Sequence, residues 1–125
     1  MKIYSIIVCY NPDVKNLFQL CQALINSHSA VIIVDNTEKS YISEYKDLPD
    51  CTLIPLGENT GIAHAQNIGI KYAIKSGADV IVFFDQDSKI ENDFLPFLLA
   101  PLKAGEPRVV APVFLMMKKV MNSRQ

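Results

Sequence analysis

The sequence predicts an α/β fold: a mostly parallel β-sheet with helices on both faces. Short runs rich in β-branched residues alternate with longer stretches whose apolar residues recur every three or four positions, which is typical of strands alternating with helices. The run VIVFF at 80–84 is apolar without alternation, as in strands buried on both faces of a parallel sheet. At 125 residues, half of them apolar, the chain is large enough for one domain with its own core.

The predicted elements come in the order β-α-β-β-α-β-α-β. Asn11 is expected to cap the first helix, which runs to about Ser27, and Thr60 the second, which Gly77 should stop. The third helix is expected at 91–102, and 38–50 should be loop with one short helix at 40–46. Pro55 favours an edge or end position for the third strand. The strands are expected at 3–9, 30–34, 51–56, 80–84 and 108–114, before a frayed or disordered tail at 116–125.

Composition excludes several classes of protein. A net charge of −1, with charges scattered along the chain, offers no basic surface for nucleic acid. Cys9, Cys21 and Cys51 are odd in number and form no C-x-x-C, which favours reduced thiols in the cytoplasm over disulfides or a zinc site. The longest apolar run, at 109–117, is far shorter than the ~20 residues of a spanning helix.

Polar residues come directly after three of the predicted strands, and these strand ends should converge: Tyr10-Asn11 after the first, Asp35-Asn36 after the second and Asp85-Gln86-Asp87 after the fourth. Asp85 and Asp87 stand one residue apart at the end of the fourth strand, and alternation along an extended chain would point both the same way, with Gln86 turned aside. Ligands of open α/β sheets bind at the carboxyl ends of the strands. Carboxylates there suit Mg²⁺ or Mn²⁺, which takes its remaining ligands from water and substrate phosphates. The pair therefore predicts a metal–diphosphate site.

Two alternatives come from the same residues. Asp85 and Asp87 could simply end a strand and cap the next segment of the chain, because aspartate is common in turns and at helix starts. The segment at 59–73 could be an ordinary amphipathic helix whose small residues allow close packing on the sheet. By pattern alone, the second of these alternatives is the stronger interpretation of its segment.

Four segments together resemble one family. They are SIIVCYNP at 5–12, VIIVDNT at 31–37, NTGIAHAQNIGI at 59–70 and FDQDS at 84–88. In this order and over almost the whole chain, they resemble the inverting family 2 glycosyltransferases of GT-A (Rossmann-like) fold, and within them most closely the bacterial rhamnosyltransferases. The resemblance implies that 1–115 is the nucleotide-sugar-binding, donor half of such an enzyme.

The resemblance also implies roles for individual residues on the nucleotide side. Tyr10 and Asn11 would line the base pocket, and Asp35 would accept a hydrogen bond from the pyrimidine. Gly61 and the helix that it opens would shape the floor of the nucleotide site. Two asparagines of the third segment complete this part of the site, the second by holding nearby loops: Asn59 and Asn67.

On the sugar side, the resemblance assigns the D-x-D residues. Asp85 would contact the ribose or the sugar, Gln86 would belong to the nucleotide-sugar site, and Asp87 would ligate Mg²⁺ or Mn²⁺ bridging the diphosphate. Gln66 stands where many relatives carry arginine, a replacement that looks like the rhamnosyltransferase variant.

The implied reaction transfers a sugar, rhamnose from dTDP-rhamnose, to a cell-surface polysaccharide or lipid-linked acceptor. The donor would be dTDP- or UDP-linked, and the place of action the cytoplasm, at the inner face of the cell membrane. Family members continue well beyond this length and supply a carboxylate base, whereas after Asp93 the only acid here is Glu106. We therefore expect a truncated sheet, a missing general base, weak or absent transfer, and an apolar edge that favours self-association and homo-oligomers.

Two other functions compete with this one. A non-catalytic nucleotide-sugar-binding module would keep the pocket without the chemistry. A haloacid-dehalogenase-like phosphatase would also place D-x-D after an apolar strand, but on its first strand, whereas here the motif comes after the fourth.

Overall fold

The computed structural model describes residues 2–39 and 49–90 and the backbone of 108–110. Five strands and two helices lie in these ranges, and each corresponds to a predicted element. Their bounds are β1 Ile3–Cys9, α1 Val14–Asn26, β2 Ser29–Asp35, β3 Cys51–Pro55, α2 Ile62–Lys75, β4 Val80–Asp85 and β5 Arg108–Val110.

The described strands form one sheet in the order β3-β2-β1-β4-β5, and every neighbouring pair is parallel. The chain moves outward from β1 through β2 to β3, then crosses back to β4 on the other side of β1. The strand order therefore reverses between β1 and β4. In open α/β sheets, the crevice at the carboxyl ends of strands beside such a reversal is where ligands bind.

Side-chain alternation divides the interior into two layers, one on each face of the sheet. Ile7 and Ile33 point toward α1, while their neighbours Ile6 and Ile32 point toward α2. The α1 layer also contains Leu17, Leu20, Cys21, Leu24, Val31, Val80, Val82 and Phe84. The α2 layer also contains Val34, Ala65, Ala73, Ile81 and Phe83. The predicted fold class is confirmed: a parallel sheet with a helix on each face.

The first helix begins later than its sequence signals suggest. Asp13, not Asn11, is its N-cap: Asp13 has the extended backbone of a capping residue, and its Oδ1 accepts a hydrogen bond from the backbone N–H of Asn16 at 3.2 Å. Asn11 instead adopts a left-handed conformation with φ of 44°, which asparagine tolerates better than most residues. The prediction that Asn11 caps α1 is therefore wrong.

The second helix is capped by Gly61 rather than Thr60, and no side chain caps it. The hydroxyl of Thr60 is already committed, because it donates to Asn36 Oδ1 at 2.9 Å. At the other end, Gly77 has a φ of 86° and the N–H of Ala78 donates to the carbonyl of Ala73 at 3.0 Å, as in a Schellman motif. The predicted stop at Gly77 is confirmed, and the predicted cap is wrong.

Several predicted features lie outside the described residues: the helices at 40–46 and 91–102, the end of the fifth strand at 111–114 and the tail at 116–125. The boundary after residue 115 stays a prediction for the same reason. Among the helices that the structure describes, neither has the length and apolar content needed to span a membrane.

Close packing of α2 on the sheet yields a stability prediction. A Cβ added at Gly69 would lie 2.8 Å from Cγ2 of Ile6, a fully buried side chain. We expect Gly69→Ala to lower the free energy of unfolding by ~1–2 kcal/mol, because overpacking outweighs the gain in helix propensity. Urea denaturation measures it, with exposed Ala63→Gly as the propensity control on the same helix. A stability increase in Gly69→Ala would contradict the close contact.

Candidate active site

Three strands bring polar residues to the carboxyl edge of the sheet. The register pairs Cys9 at the end of β1 with Asp35 at the end of β2, and Val8 with Asp85 at the end of β4. The N–H of Asn36 continues the pairing by donating to the carbonyl of Cys9 at 2.8 Å. The predicted convergence of the three strand ends is therefore present, on both sides of the point where strand order reverses.

Asp35 is the most deeply placed acidic residue at this edge, with 1% of its surface exposed. Its Oδ1 accepts hydrogen bonds from the N–H of Thr37 at 3.0 Å and from the thiol of Cys9 at 3.5 Å. Its Oδ2 is also buried and has no hydrogen-bond partner among the described residues. A buried carboxylate oxygen without a donor is costly, so this atom marks a place where a ligand N–H would be stabilising.

The Cys9 thiol acts as a donor toward that carboxylate. Burial, together with the nearby negative charge of Asp35, raises the pKa of the Cys9 thiol well above its ordinary value. Cys9 therefore stays protonated at neutral pH and acts as a hydrogen-bond donor rather than as a thiolate nucleophile. It supplies one of the two described hydrogen bonds that hold Asp35.

Asn36 joins β2 to the loop that precedes α2. Its Oδ1 accepts from both the N–H and the hydroxyl of Thr60, at 3.1 and 2.9 Å, and its Nδ2 donates to the carbonyl of Gly61 at 3.2 Å. Only 3% of the Asn36 surface is exposed. The start of α2 is thus fixed relative to Asp35 by three hydrogen bonds from one side chain.

Tyr10 and Asn11 lie in the segment that leaves β1, and both are exposed. The Tyr10 hydroxyl donates to Glu38 Oε1 at 3.2 Å, and the Asn11 N–H donates to the Thr37 hydroxyl oxygen at 2.8 Å. The ends of β1 and β2 are therefore connected by side chains beyond their last paired residues. The Tyr10 ring, 43% exposed, offers an aromatic surface at this edge.

Gln86 is turned toward the protein rather than into solvent. Its Oε1 accepts from the N–H of Tyr10 at 2.7 Å, and its Nε2 donates to the carbonyl of Tyr10 at 3.3 Å. The sequence predicts only that Gln86 is turned aside. In the structure, its side chain contacts the segment that leaves β1.

The prediction that Asp85 and Asp87 point the same way assumes that the strand continues to Asp87, and this assumption is wrong. β4 ends at Asp85, and the N–H of Ser88 donates to the carbonyl of Asp85 at 3.0 Å, which closes a turn over 85–88. Asp87 lies in that turn, where period-two alternation does not apply. Both side chains are exposed, and in the described part of the chain neither carboxylate accepts a hydrogen bond.

The residues predicted from the third segment differ in their surroundings. Gly61 has a φ of 87°, a left-handed conformation that a side chain would strain, although the space beside it is open. Asn59 Oδ1 accepts from the N–H of Gly61 at 3.1 Å, so it shapes the same loop. Asn67 is exposed on α2 and makes no side-chain hydrogen bond to residues that the structure describes.

A small cavity of about 120 Å³ lies between α2 and the strands β1 and β4. Asp85 lines it together with Ile62 and Gln66 of α2, and its apolar walls are Ile6, Val8, Phe83 and Phe84. The start of α2 therefore lies beside the end of β4. Within the described residues, no cluster of three or more histidine, cysteine or acidic side chains could hold a metal ion unaided.

The sequence and the fold of this chain are similar to those of known proteins. The sequence profile of Glycosyl transferase family 2 matches residues 5–123, nearly the whole chain. The chain belongs to glycosyl transferase family 2. This family assignment does not favour a dehalogenase-like phosphatase or a purely non-catalytic module.

One curated relative of this family 2 chain is the dTDP-rhamnosyl transferase RfbF of Shigella flexneri, which is 43% identical over 114 residues. The match covers 90% of the chain but only 38% of RfbF, so the chain spans well under half of that relative. Two crystal structures of S. aureus TarS, one of them of residues 1–349, show the same fold over 80% of the chain. Their TM-scores are 0.63 and 0.64, at 22% identity, and the matches cover 19% and 32% of those chains.

Four residues of this candidate site have no role predicted from the sequence, although Asn36 is expected at a strand end: Cys9, Asn36, Thr37 and Glu38. Three of them are buried and hold Asp35 or the neighbouring loops. Their signal was available in part, because Asn36 and Thr37 come directly after the aspartate of VIIVDNT. The Tyr10–Glu38 contact joins residues 28 positions apart and has no local signature.

The hydrogen bonds of Asn36 predict that its removal destabilises the chain more than the removal of Asn59. We expect Asn36→Ala to lower the free energy of unfolding by ~2–3 kcal/mol, because it removes three hydrogen bonds at a buried position. Asn59→Ala, at an exposed position with one such bond, should cost under ~1 kcal/mol. Chemical denaturation of both variants measures the difference. Equal losses would contradict a special role for Asn36.

Proposed function

We propose that this chain binds the donor for a glycosyltransferase that transfers rhamnose from dTDP-rhamnose to a cell-surface glycan or lipid-linked acceptor. The choice of rhamnose rests on the 43% identity to a dTDP-rhamnosyl transferase. The choice of a pyrimidine nucleotide rests on one observation, the buried Oδ2 of Asp35 without a described partner. The proposed place of action is the cytoplasmic face of the membrane, where such a donor and a lipid-linked acceptor meet.

In this proposal, the base binds at the ends of β1 and β2. Thymine and uracil carry an N–H that can donate to Asp35 Oδ2, and a hydrogen bond to a charged acceptor is worth ~1.5–3 kcal/mol. The exposed ring of Tyr10 provides a surface on which a base can stack. Because Oδ2 is screened from solvent in the chain alone, we expect the side chains around it to shift when a base binds.

The diphosphate and its metal are proposed to lie at the end of β4. Asp87 would ligate Mg²⁺ or Mn²⁺, and Asp85 would contact the ribose or sugar. The donor set fits such an ion, because both carboxylates are exposed hard oxygen ligands not engaged by described residues. Mg²⁺ bound through one or two carboxylates, with waters and phosphates completing its shell, needs no larger cluster. When bound, the ion would neutralise negative charge growing on the leaving nucleoside diphosphate.

The start of α2 supports the same placement of the phosphates. Ile62 shares a cavity with Asp85, so the first turn of the helix lies beside the residue that is proposed to contact the ribose or sugar. The first N–H groups of a helix lack internal partners and favour negative charge. Asn36 would hold this turn in place through its hydrogen bonds to Thr60 and Gly61.

Calorimetric titration with dTDP, UDP and GDP, each with Mn²⁺ and with EDTA, tests the proposal. We expect dTDP with Mn²⁺ to bind most tightly. Asp35→Asn should weaken the binding by ~10–100-fold, because the charged acceptor for the base is lost. Asp87→Ala should abolish the stimulation by Mn²⁺ and leave the weak binding measured in EDTA.

Asp79→Asn is the matched control, because Asp79 lies at the opposite edge of the sheet, where it accepts from the N–H of Lys2. Its nucleotide affinity should equal that of the wild type. Purine and pyrimidine diphosphates of equal affinity, or an Asp35→Asn variant as good as Asp79→Asn, would refute the base assignment.

A further inference from the structure

Gln86 uses both ends of its side-chain amide on the backbone of a single residue, Tyr10. Its Oε1 lies 2.7 Å from the N–H nitrogen of Tyr10, and its Nε2 lies 3.3 Å from the carbonyl oxygen of Tyr10. The amide oxygen and one of the two amide N–H groups are thereby engaged, which leaves one donor for anything else. A side-chain amide that is paired in this way resembles an extra rung of a β-ladder.

This contact lies where the backbone ladder between β1 and β4 has stopped. The last paired residues of the two strands are Val8 and Asp85. Tyr10 is two residues past that pair on one side, and Gln86 is one residue past it on the other. The two segments beyond the strands, at 10–11 and 86–88, are thus connected by a side chain where the sheet itself no longer connects them.

We infer that Gln86 is a positioning residue that holds the D-x-D turn at 85–88 against the Tyr10–Asn11 segment. The inference rests on the proposed function, in which the base binds on the β1 side and the metal and diphosphate on the β4 side. It assigns Gln86 to the geometry between these two subsites rather than to a direct contact with the donor.

A nucleoside diphosphate has a limited span between its base and its phosphates. If the two segments separate or rotate, a ligand can satisfy Asp35 or the metal at Asp87, but not both at their best geometry. Loss of the Gln86 contact should therefore weaken ligands that engage both subsites and leave ligands that engage only the base subsite nearly unchanged. A merely structural role would weaken both kinds of ligand in parallel.

The test compares two variants with different hydrogen-bonding capacity. Gln86→Met keeps the length of the side chain and removes both hydrogen bonds. Gln86→Glu can still accept from the Tyr10 N–H but places a second oxygen opposite the Tyr10 carbonyl. Gln22→Met is the matched control, because Gln22 is a half-buried glutamine on α1, as Gln86 is half-buried on its turn.

Three kinds of measurement are made on each protein: the affinities for dTDP and for dTDP-rhamnose by calorimetry with Mn²⁺ and with EDTA, the affinity for thymidine by NMR titration, and hydrogen exchange of the Tyr10 amide. In Gln86→Met, we expect dTDP affinity in Mn²⁺ to fall by about tenfold, thymidine affinity to change less than about twofold, and Tyr10 exchange to accelerate. The ratio of dTDP affinities in Mn²⁺ and EDTA should fall accordingly. Gln86→Glu should be intermediate, and Gln22→Met should match the wild type.

Three results would overturn the inference. Unchanged Tyr10 exchange in Gln86→Met would mean that the contact does not hold the backbone. Parallel losses of thymidine and dTDP affinity, with a lower melting temperature, would mean a purely structural role. A loss for dTDP-rhamnose but not for dTDP would mean direct contact with the sugar. A wild-type chain that binds no nucleotide would refute the proposed function instead, and the exchange measurement would still decide whether Gln86 holds Tyr10.

Discussion

The whole site depends on the parallel pairing of β1 with both β2 and β4. Because the three strands run in the same direction and in a fixed register, Cys9 ends opposite Asp35 while Val8 ends opposite Asp85. A slip of one residue would turn the alternating core residues, such as Ile6 and Ile7, to the wrong faces of the sheet. Burial of both faces therefore specifies the register. The register places one acidic residue, Asp35, on one side of β1 and a second, Asp85, on the other side.

Beyond the strand ends, side chains replace the backbone ladder. Asn36 holds the loop before α2, Thr37 receives the N–H of Asn11, and Gln86 holds Tyr10. The hydrogen bonds of Asn36 lie at a buried position, where an unpaired group cannot turn to water, so they stabilise the chain more than the exposed contact between Gln86 and Tyr10. The site at this edge is thus assembled from short polar residues that connect segments distant in sequence, on a sheet that is held together by apolar packing.

The sequence predicted the elements of this fold better than their ends. Runs of isoleucine and valine such as VIIV at 31–34 indicate strands because few other structures bury them on both faces. Helix caps were harder: Asn11 and Asp13 are both good N-caps by type, and only the left-handed backbone of Asn11 decides between them. At 85–88, the sequence leaves an extended continuation and a turn both open, because D-x-D has the same residue types in either conformation. The contacts of Gln86 are tertiary, so no local pattern could predict them.

The unpartnered oxygen of Asp35 has a consequence for discrimination between pyrimidines. Thymine and uracil present an N–H at ring position 3, whereas cytosine presents a lone pair there. A carboxylate oxygen facing that position attracts the first two bases and repels the third, so rejection needs no steric clash. The buried carboxylate of Asp35 would in this way disfavour cytidine-linked sugars in the proposed donor site.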